Sequence, residues 1–380
     1  MNLALSDEQV FLREAARGAL SRYPTIEAAR AALDGDDSAL PDLWPTAKEA
    51  GWPGLLIDEA QGGAGLDAFD AMLVLGECGR VLASIPLLGH LPATAILSDS
   101  PLSAELLPPL AAGERRVAYL PARPPDDIHG RWSTDPASGF ERATLASAGP
   151  PSDDGRVPVT GSFAFVPDAP GANAFVGVAI QDGRPIGVAI LNDSPGVEVH
   201  AVVRYDATRS LGHVSFRDAP AIALDAPEVS LAAAWHLAQA LIAAESIGAV
   251  ETALEVSVQY AKERYTFGRS IGSYQAIKHA LTEVLRQLEN GRSLLYYAGW
   301  SRRGAPREFP LAANAARSVA GHALDHAART MISVHGGIGA TWEHDAPLFF
   351  RRAQLSRRLL GGTRDATDRV AAQTLSAAAA

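Results

Sequence analysis

The spacing of apolar positions changes twice along the chain, near residue 113 and again near residue 227. Up to residue 112 the pattern is helical. Ser6 stands three residues before Gln9, the spacing of a reciprocal helix cap, and Val10, Phe11 and Leu20 follow on one stripe. A second helix is expected over residues 43–50. The Gly51-Trp52-Pro53-Gly54 segment and the Gly62-Gly63-Ala64-Gly65 cluster then read as loop. Asp67 is placed to cap a further helix whose Phe69, Met72, Leu73 and Leu75 face a core. The proline-rich residues 85–109 still support short helices. Between residues 113 and 226 the period shortens. Residues 156–160, 163–166, 174–180, 185–190 and 213–216 are strand-like, and Asp182-Gly183 between two of them is a hairpin signal. From residue 227 onward helices are expected at about 229–265, 270–302, 308–333, 344–358 and 364–377, with a break at Gly304-Ala305-Pro306. The fold class is therefore α+β and multidomain. It comprises an N-terminal helical domain (1–112), a middle antiparallel β barrel or sandwich (113–226) and a C-terminal helical bundle (227–380). Two helical ends flanking a barrel pack together and leave a crevice, where ligands commonly bind.

Composition narrows the function. The 380 residues carry a net charge of −10, against the basic face that a nucleic-acid surface needs. Cys78 is the single cysteine, so there is no intrachain disulfide and no cysteine-based zinc site. The longest apolar run, residues 231–250, is interrupted by His236, Gln239 and Glu245 and reads as a buried helix, not a membrane span. The first residues lack a basic stretch followed by an apolar one, so a cytoplasmic location is expected.

Candidate chemistry concentrates in two glycine-bearing clusters. In Tyr260-Ala-Lys-Glu-Arg264-Tyr-Thr266-Phe267-Gly268-Arg269-Ser-Ile271-Gly272-Ser-Tyr-Gln275 a polar bend joins two long helices. Its glycines let the backbone turn, and Arg264 and Arg269 offer forked donors for phosphate oxygens. An ordinary helical hairpin with a solvated arginine-rich turn would use the same residues. Ser333-Val334-His335-Gly336-Gly337-Ile338-Gly339-Ala340-Thr341-Trp342-Glu343-His344-Asp345 lies between two later helices. Its amides suit a phosphate or a flavin edge, and a plain helix C-cap is the alternative. His322 and His326 have metal spacing on a helix, but no third ligand stands near, so no metal site is expected.

Together these clusters closely resemble the acyl-CoA dehydrogenase family of flavoenzymes. The matching motifs are Tyr-Ala-Lys-Glu-Arg-x-x-Phe-Gly-Arg-x-Ile-Gly-x-x-Gln and, about sixty residues later, His-Gly-Gly-Ile-Gly-x-Thr-Trp-Glu-His-Asp, whose tail looks actinobacterial. Gly51-Trp-Pro-Gly-Leu-Leu resembles the family's N-terminal domain. The resemblance implies a helical domain, a β domain and a four-helix bundle. It implies FAD, an acyl-CoA substrate, and an electron-transfer flavoprotein as acceptor. It also implies assembly into dimers or tetramers in which one subunit completes its neighbour's flavin site. That contribution falls on Arg264, Thr266, Phe267, Ile271, Gln275, Gly336 and Gly337. The implied reaction is α,β-dehydrogenation, in which a carboxylate removes the α-proton and flavin accepts the β-hydride.

The sequence departs from that pattern where the chemistry should be. The family's usual base, in a Tyr-Glu-Gly-Thr motif, maps to Gly361 of Leu360-Gly361-Gly362-Thr363, and the alternative base position maps to Ala238. The Thr-Glu-Pro motif expected after Val117 is absent from residues 118–127, and the flavin-facing Trp-x-Thr motif falls on Val166-Pro167-Asp168. Such asymmetry resembles the non-catalytic subunit of an α2β2 heterotetramer, a type used on bulky thioesters such as steroid side-chain CoA. Two alternatives stay open. One is a self-sufficient homomer with a relocated base, for which Glu245 is the candidate, two turns beyond Ala238. The other is a flavin monooxygenase of the same fold.

Overall fold

The structure, a computed structural model, describes residues 4–33, 39–121 and 146–379, with side chains to residue 375. The N-terminal part comprises α1 (Asp7–Leu20), α2 (Thr25–Ala32), α3 (Trp44–Glu49), α4 (Ala68–Arg80), α5 (Leu87–Ser98) and the single turns α6 (Ser103–Leu106) and α7 (Pro108–Ala111). Ser6 and Gln9 form the expected reciprocal cap on α1. Asp67 and Asp70 form a second one on α4. The Gln9 amide donates to Asp70, so the two caps tie α1 to α4. Helix α2 has no counterpart among the expected elements. It buries only Thr25, Ala29 and Ala32, residues too small to register as an apolar stripe.

The middle strands are β1 (Val117–Tyr119), β2 (Ala146–Ala148), β3 (Val157–Pro167), β4 (Ala174–Gln181), β5 (Arg184–Leu191), β6 (Val197–Ala201) and β7 (Leu211–Leu224). The ladder runs β4-β2-β3-β7-β5, and β5 pairs back onto β4, which closes a barrel; β6 adds to the side of β7. The barrel is mixed, not wholly antiparallel, because β1 and β2 both lie parallel to β4. Two of the expected strands are one, since β3 runs unbroken from Val157 to Pro167 with register shifts at Thr160 and beyond Phe163. The Asp182-Gly183 hairpin is present. Both residues have positive φ (49° and 78°), the two-residue turn whose twist matches its strands.

The C-terminal part comprises α8 (Glu228–Glu263), α9 (Gln275–Gly304), α10 (Phe309–His335), α11 (Ala346–Ser356) and α12 (Gly362–Ala379), with a small hairpin, β8 (Tyr265–Thr266) and β9 (Arg269–Ser270), between α8 and α9. Residues 237–250 of α8 are buried without interruption. The helix packs against α4, α5, α9 and α10, which explains an apolar run lacking an amphipathic stripe. Among the described residues no helix is long and apolar enough to cross a membrane.

Candidate cofactor surface and cleft

Helix α8 ends where Arg264 turns extended (φ −80°, ψ 122°). The chain reverses at Phe267 (φ 51°) and Gly268 (φ 79°), and the Ile271 amide closes the loop on the Arg264 carbonyl at 2.7 Å. The two arginines of this bend differ. Arg269 stacks 4.1 Å above the Tyr274 ring, and Tyr274 donates to the Thr266 carbonyl at 3.2 Å. Arg264 is exposed, and its guanidinium has no hydrogen-bond or ion-pair partner among the described residues. Phe267 is 97% exposed. Thr266 and Ile271 are half-buried, and Gln275 opens α9 on the surface.

The second cluster lies beside the first. Ala261, Leu281 and Val334 form a small core joining the end of α8, the start of α9 and the end of α10. The Tyr260 and His335 rings lie 4.3 Å apart, and His335 and His344 4.1 Å. Gly336 ends α10 at φ 64°, a left-handed value that disfavours any side chain. Gly337 is exposed in the 3-10 turn that follows. Helix α11 starts at Ala346, two residues later than expected, because 341–345 form a turn held by an Arg30–Asp345 ion pair from α2. All seven residues expected at a neighbour's flavin thus sit at one end of the bundle. Tyr265, Ile338 and Trp342 are exposed beside them.

A cleft of about 1070 Å³ opens between the barrel and the α11–α12 turn. Phe165, Tyr205 and Phe350 form apolar wall, and Leu360, Gly361 and Gly362 lie along it. Those three consecutive residues all have positive φ (50°, 84° and 82°). Ala238 is fully buried and does not line the cleft; its neighbour Gln239 donates to the Leu360 carbonyl at 2.9 Å. The stretch matched to the flavin-facing motif offers few donors. Val166 is buried, Pro167 has no N–H, and Asp168 (φ 62°) is turned onto the Gly89 amide at 2.7 Å. Most of the segment 118–127 lies outside the described residues; Ala118 and Tyr119 belong to β1.

Burial pushes the Asp168 carboxyl from 3.8 up to about 7, against the pull of the Gly89 amide and Arg209. Because the folded value exceeds the unfolded one, the group favours folding below the unfolded value, and that advantage is lost as pH rises through about 7. Asp168→Asn is expected to raise stability at pH 8 by on the order of 1–2 kcal/mol and to change it little at pH 4, read by urea denaturation at both pH values.

Glu245 lies in a buried ion cluster. It is 3% exposed and accepts from Arg209 and, at 2.6 Å, from Arg352. Arg352 also holds Asp206 at 2.8 Å and the Thr208 carbonyl at 3.1 Å. Glu245 does not line the cleft. Sequence reasoning missed Asp206, Arg209, Arg317 and Arg352. One signal was there: Arg352 sits on the buried stripe of α11 with Leu348, Phe349 and Leu355. His322 lines the cleft and His326 lies one turn on; no group of three or more His, Cys, Asp or Glu among the described residues could hold a metal.

Comparison with known proteins follows the same outline. Residues 231–375 match the C-terminal domain of acyl-CoA dehydrogenases and residues 6–114 the N-terminal domain. The acyl-CoA dehydrogenase IpdE2 of Mycobacterium tuberculosis is 31% identical over 96% of this chain and 96% of its own length. FadE34 of the same organism is 30% identical over 98% of this chain, which spans 49% of that relative. A variant of the Tcur3481–Tcur3483 steroid ACAD superposes with a TM-score of 0.85 at 25% identity, covering 98% of this chain and 99% of that one. The ChsE4–ChsE5 complex from M. tuberculosis superposes at 0.84 with 22% identity, covering 99% of each chain.

Proposed function

The chain belongs to the acyl-CoA dehydrogenase family, FAD-dependent oxidoreductases acting on the CH–CH bond of CoA thioesters, and we propose that it is the non-catalytic subunit of a heteromeric member. In this reading Arg264, Thr266, Phe267, Ile271, Gln275, Gly336 and Gly337 form a surface that completes a partner's flavin site at its adenine and pyrophosphate end. A related chain supplies the catalytic carboxylate. The observation that carries the proposal is the split between the two halves of the site. At the bundle end a forked cation stands exposed and unpartnered among the described residues beside open glycine backbone, a donor set that fits a pyrophosphate. At the described positions matched to the family's own flavin-ring and base motifs the fit is poor. Pro167 cannot donate, Asp168 is engaged elsewhere, and both base positions, Ala238 and Gly361, lack a carboxyl group.

When bound, FAD supplies the hydride acceptor of α,β-dehydrogenation. This chain's part is binding and orientation: Arg264 neutralises phosphate charge, Phe267 covers an apolar face, and the Gly336 turn lets backbone approach. Glu245 is structural in this reading, an anion held between two guanidinium groups. Similarity to the Tcur3481–Tcur3483 steroid ACAD and to the ChsE4–ChsE5 complex supports a heteromeric assembly, which we take as α2β2, and a steroid-type CoA thioester as substrate class. An electron-transfer flavoprotein is the acceptor this reading implies.

The test is purification of the chain alone and with a co-expressed relative that carries the base. We expect little flavin absorbance from the chain alone, and flavin with acyl-CoA turnover from the pair. Stoichiometric FAD with turnover from this chain alone would overturn the proposal. In the assembled pair, Arg264→Ala is expected to weaken FAD retention by about 10- to 100-fold, the range for a charge-assisted hydrogen bond worth about 1.5–3 kcal/mol. Flavin fluorescence released on dilution reads this directly.

A further inference from the structure

Three aromatic rings stack behind the surface assigned to a partner's flavin. The Tyr260 ring of α8 lies 4.3 Å from that of His335 at the end of α10, and the His335 ring lies 4.1 Å from that of His344. Each ring is tied to a different part of the surface. The Tyr260 carbonyl accepts from the Arg264 amide at 2.8 Å, the bond that ends α8. His335 is buried immediately before Gly336, and the turn that follows folds back over it: a Cβ added at Gly339 would come 2.8 Å from the His335 Cβ. His344 accepts from the Ala346 amide at 3.1 Å and so caps the first turn of α11. The stack therefore spans from Arg264 to the glycine turn and on to α11.

Hydrogen bonding fixes the ring protons. A carbonyl only accepts, so His335 Nδ1, 2.7 Å from the Met331 carbonyl, carries a proton. A backbone amide only donates, so His344 Nδ1 carries none, and the proton of that neutral ring is on Nε2. Protonating His344 fills the acceptor and ends the cap. It also adds positive charge at the N-terminus of α11, against the helix dipole and facing His335. Burial first, then His335 and more weakly Arg30 of α2, hold His344 below its ordinary 6.5. Asp345 pulls the other way but is already paired with Arg30. Glu27 and Glu343 are exposed and share a small surface cavity with Arg30. A histidine lowered by folding contributes stability that is present above its unfolded value and lost as pH falls through the folded one.

We propose that His344 is a positioning residue for the flavin-facing surface: as a neutral ring it holds the stack that fixes Arg264 relative to the Gly336–Ala340 turn, and once protonated it releases both. The surface then grips a pyrophosphate at neutral pH and lets it go in acid. This rests on the reading of that surface as part of a partner's flavin site.

The experiment measures hydrogen exchange of residues 336–347 in the full chain alone, corrected for the intrinsic rate, and FAD retention in the assembled pair, each at pH 7.5 and pH 5. On acidification the unsubstituted chain is expected to lose protection about 10-fold, and the pair to lose FAD about 10-fold more readily, the scale of one lost helix cap. In His344→Asn, whose side-chain oxygen can accept from the same amide without titrating, both changes are expected to vanish. His344→Phe keeps a ring in the stack but offers no acceptor, and is expected to match the acidified protein at both pH values. Equal pH dependence with and without His344→Asn, or no pH dependence at all, would overturn the proposal. So would exchange that follows His344 while FAD retention does not. A pair that holds no flavin even at pH 7.5 would instead sink the partner reading, and exchange in the chain alone would still decide whether His344 switches the turn.

Discussion

Glu245→Gln is expected to lower the unfolding free energy by about 3–5 kcal/mol, the penalty for removing one partner from a buried ion pair. The substitution preserves shape, so lost packing contributes little. It removes the charge that Arg209 and Arg352 share, and it leaves the two buried guanidiniums only Asp206 and the weaker pull of Asp168 on Arg209. The carbonyl oxygen of glutamine can accept from one arginine, while its amide must point donors at the other. Chemical denaturation at pH 7 reads the effect as a fall in midpoint with unchanged slope. The outcome also separates two roles. A relocated catalytic base would lose turnover on this change and keep its stability, because a base must be free to take a proton. A structural anion loses stability first. The same cluster predicts acid sensitivity. Burial alone would raise Asp206, but Arg352, the Thr208 hydroxyl and Arg209 together hold it below its ordinary value. A lowered carboxyl contributes stability that is present above its unfolded value and lost as pH falls through the folded one.

Period and capping made most helices legible, because Ser6 and Asp67 announce their helix starts and the apolar runs of α8 and α10 are long. Where small residues do the packing, as in α2, the chain gives no stripe to read. The barrel was legible through Asp182-Gly183, while β6, with its exposed Glu198 and His200, has too little buried side chain to betray itself. The parallel pairing of β1 and β2 with β4 joins segments far apart in sequence, which no local pattern encodes.

At the site, the two glycine clusters could be read as chemistry, but their meeting at one end of the bundle came from tertiary packing through Ala261 and Val334. The absence of a carboxyl group at position 361 was plain from sequence. Its backbone was not. Gly361 sits at φ 84° between two residues that also have positive φ, and a Cβ there would come 2.8 Å from an Asp365 oxygen. A glutamate placed at this position meets a strained backbone and a like charge, so the turn is not a ready seat for the missing base.

Gly248→Ala is expected to cost about 3 kcal/mol or more, the upper range for overpacking a rigid core. Helices α4 and α8 touch backbone to backbone. A Cβ on Gly248 would strike the Gly76 carbonyl and come 3.1 Å from the Arg80 amide nitrogen, and one on Gly79 would strike the Glu245 carbonyl. Neither collision is with a side chain that can swing aside, so one helix must move. Glu245 is one turn from Gly248 on the same helix face, and any such movement loosens its grip on Arg209 and Arg352. The two substitutions should therefore be less than additive: once the helices are forced apart, the ion pair has less left to lose. A double-mutant cycle by denaturation measures that coupling, and full additivity would show that helix spacing and ion cluster are independent. The consequence reaches the flavin-facing surface. Arg264 lies sixteen residues beyond Gly248 on the same rod, about 24 Å away. In the assembled pair, Gly248→Ala is expected to weaken FAD retention in proportion to the tilt it imposes on α8, although it touches nothing at the hairpin itself.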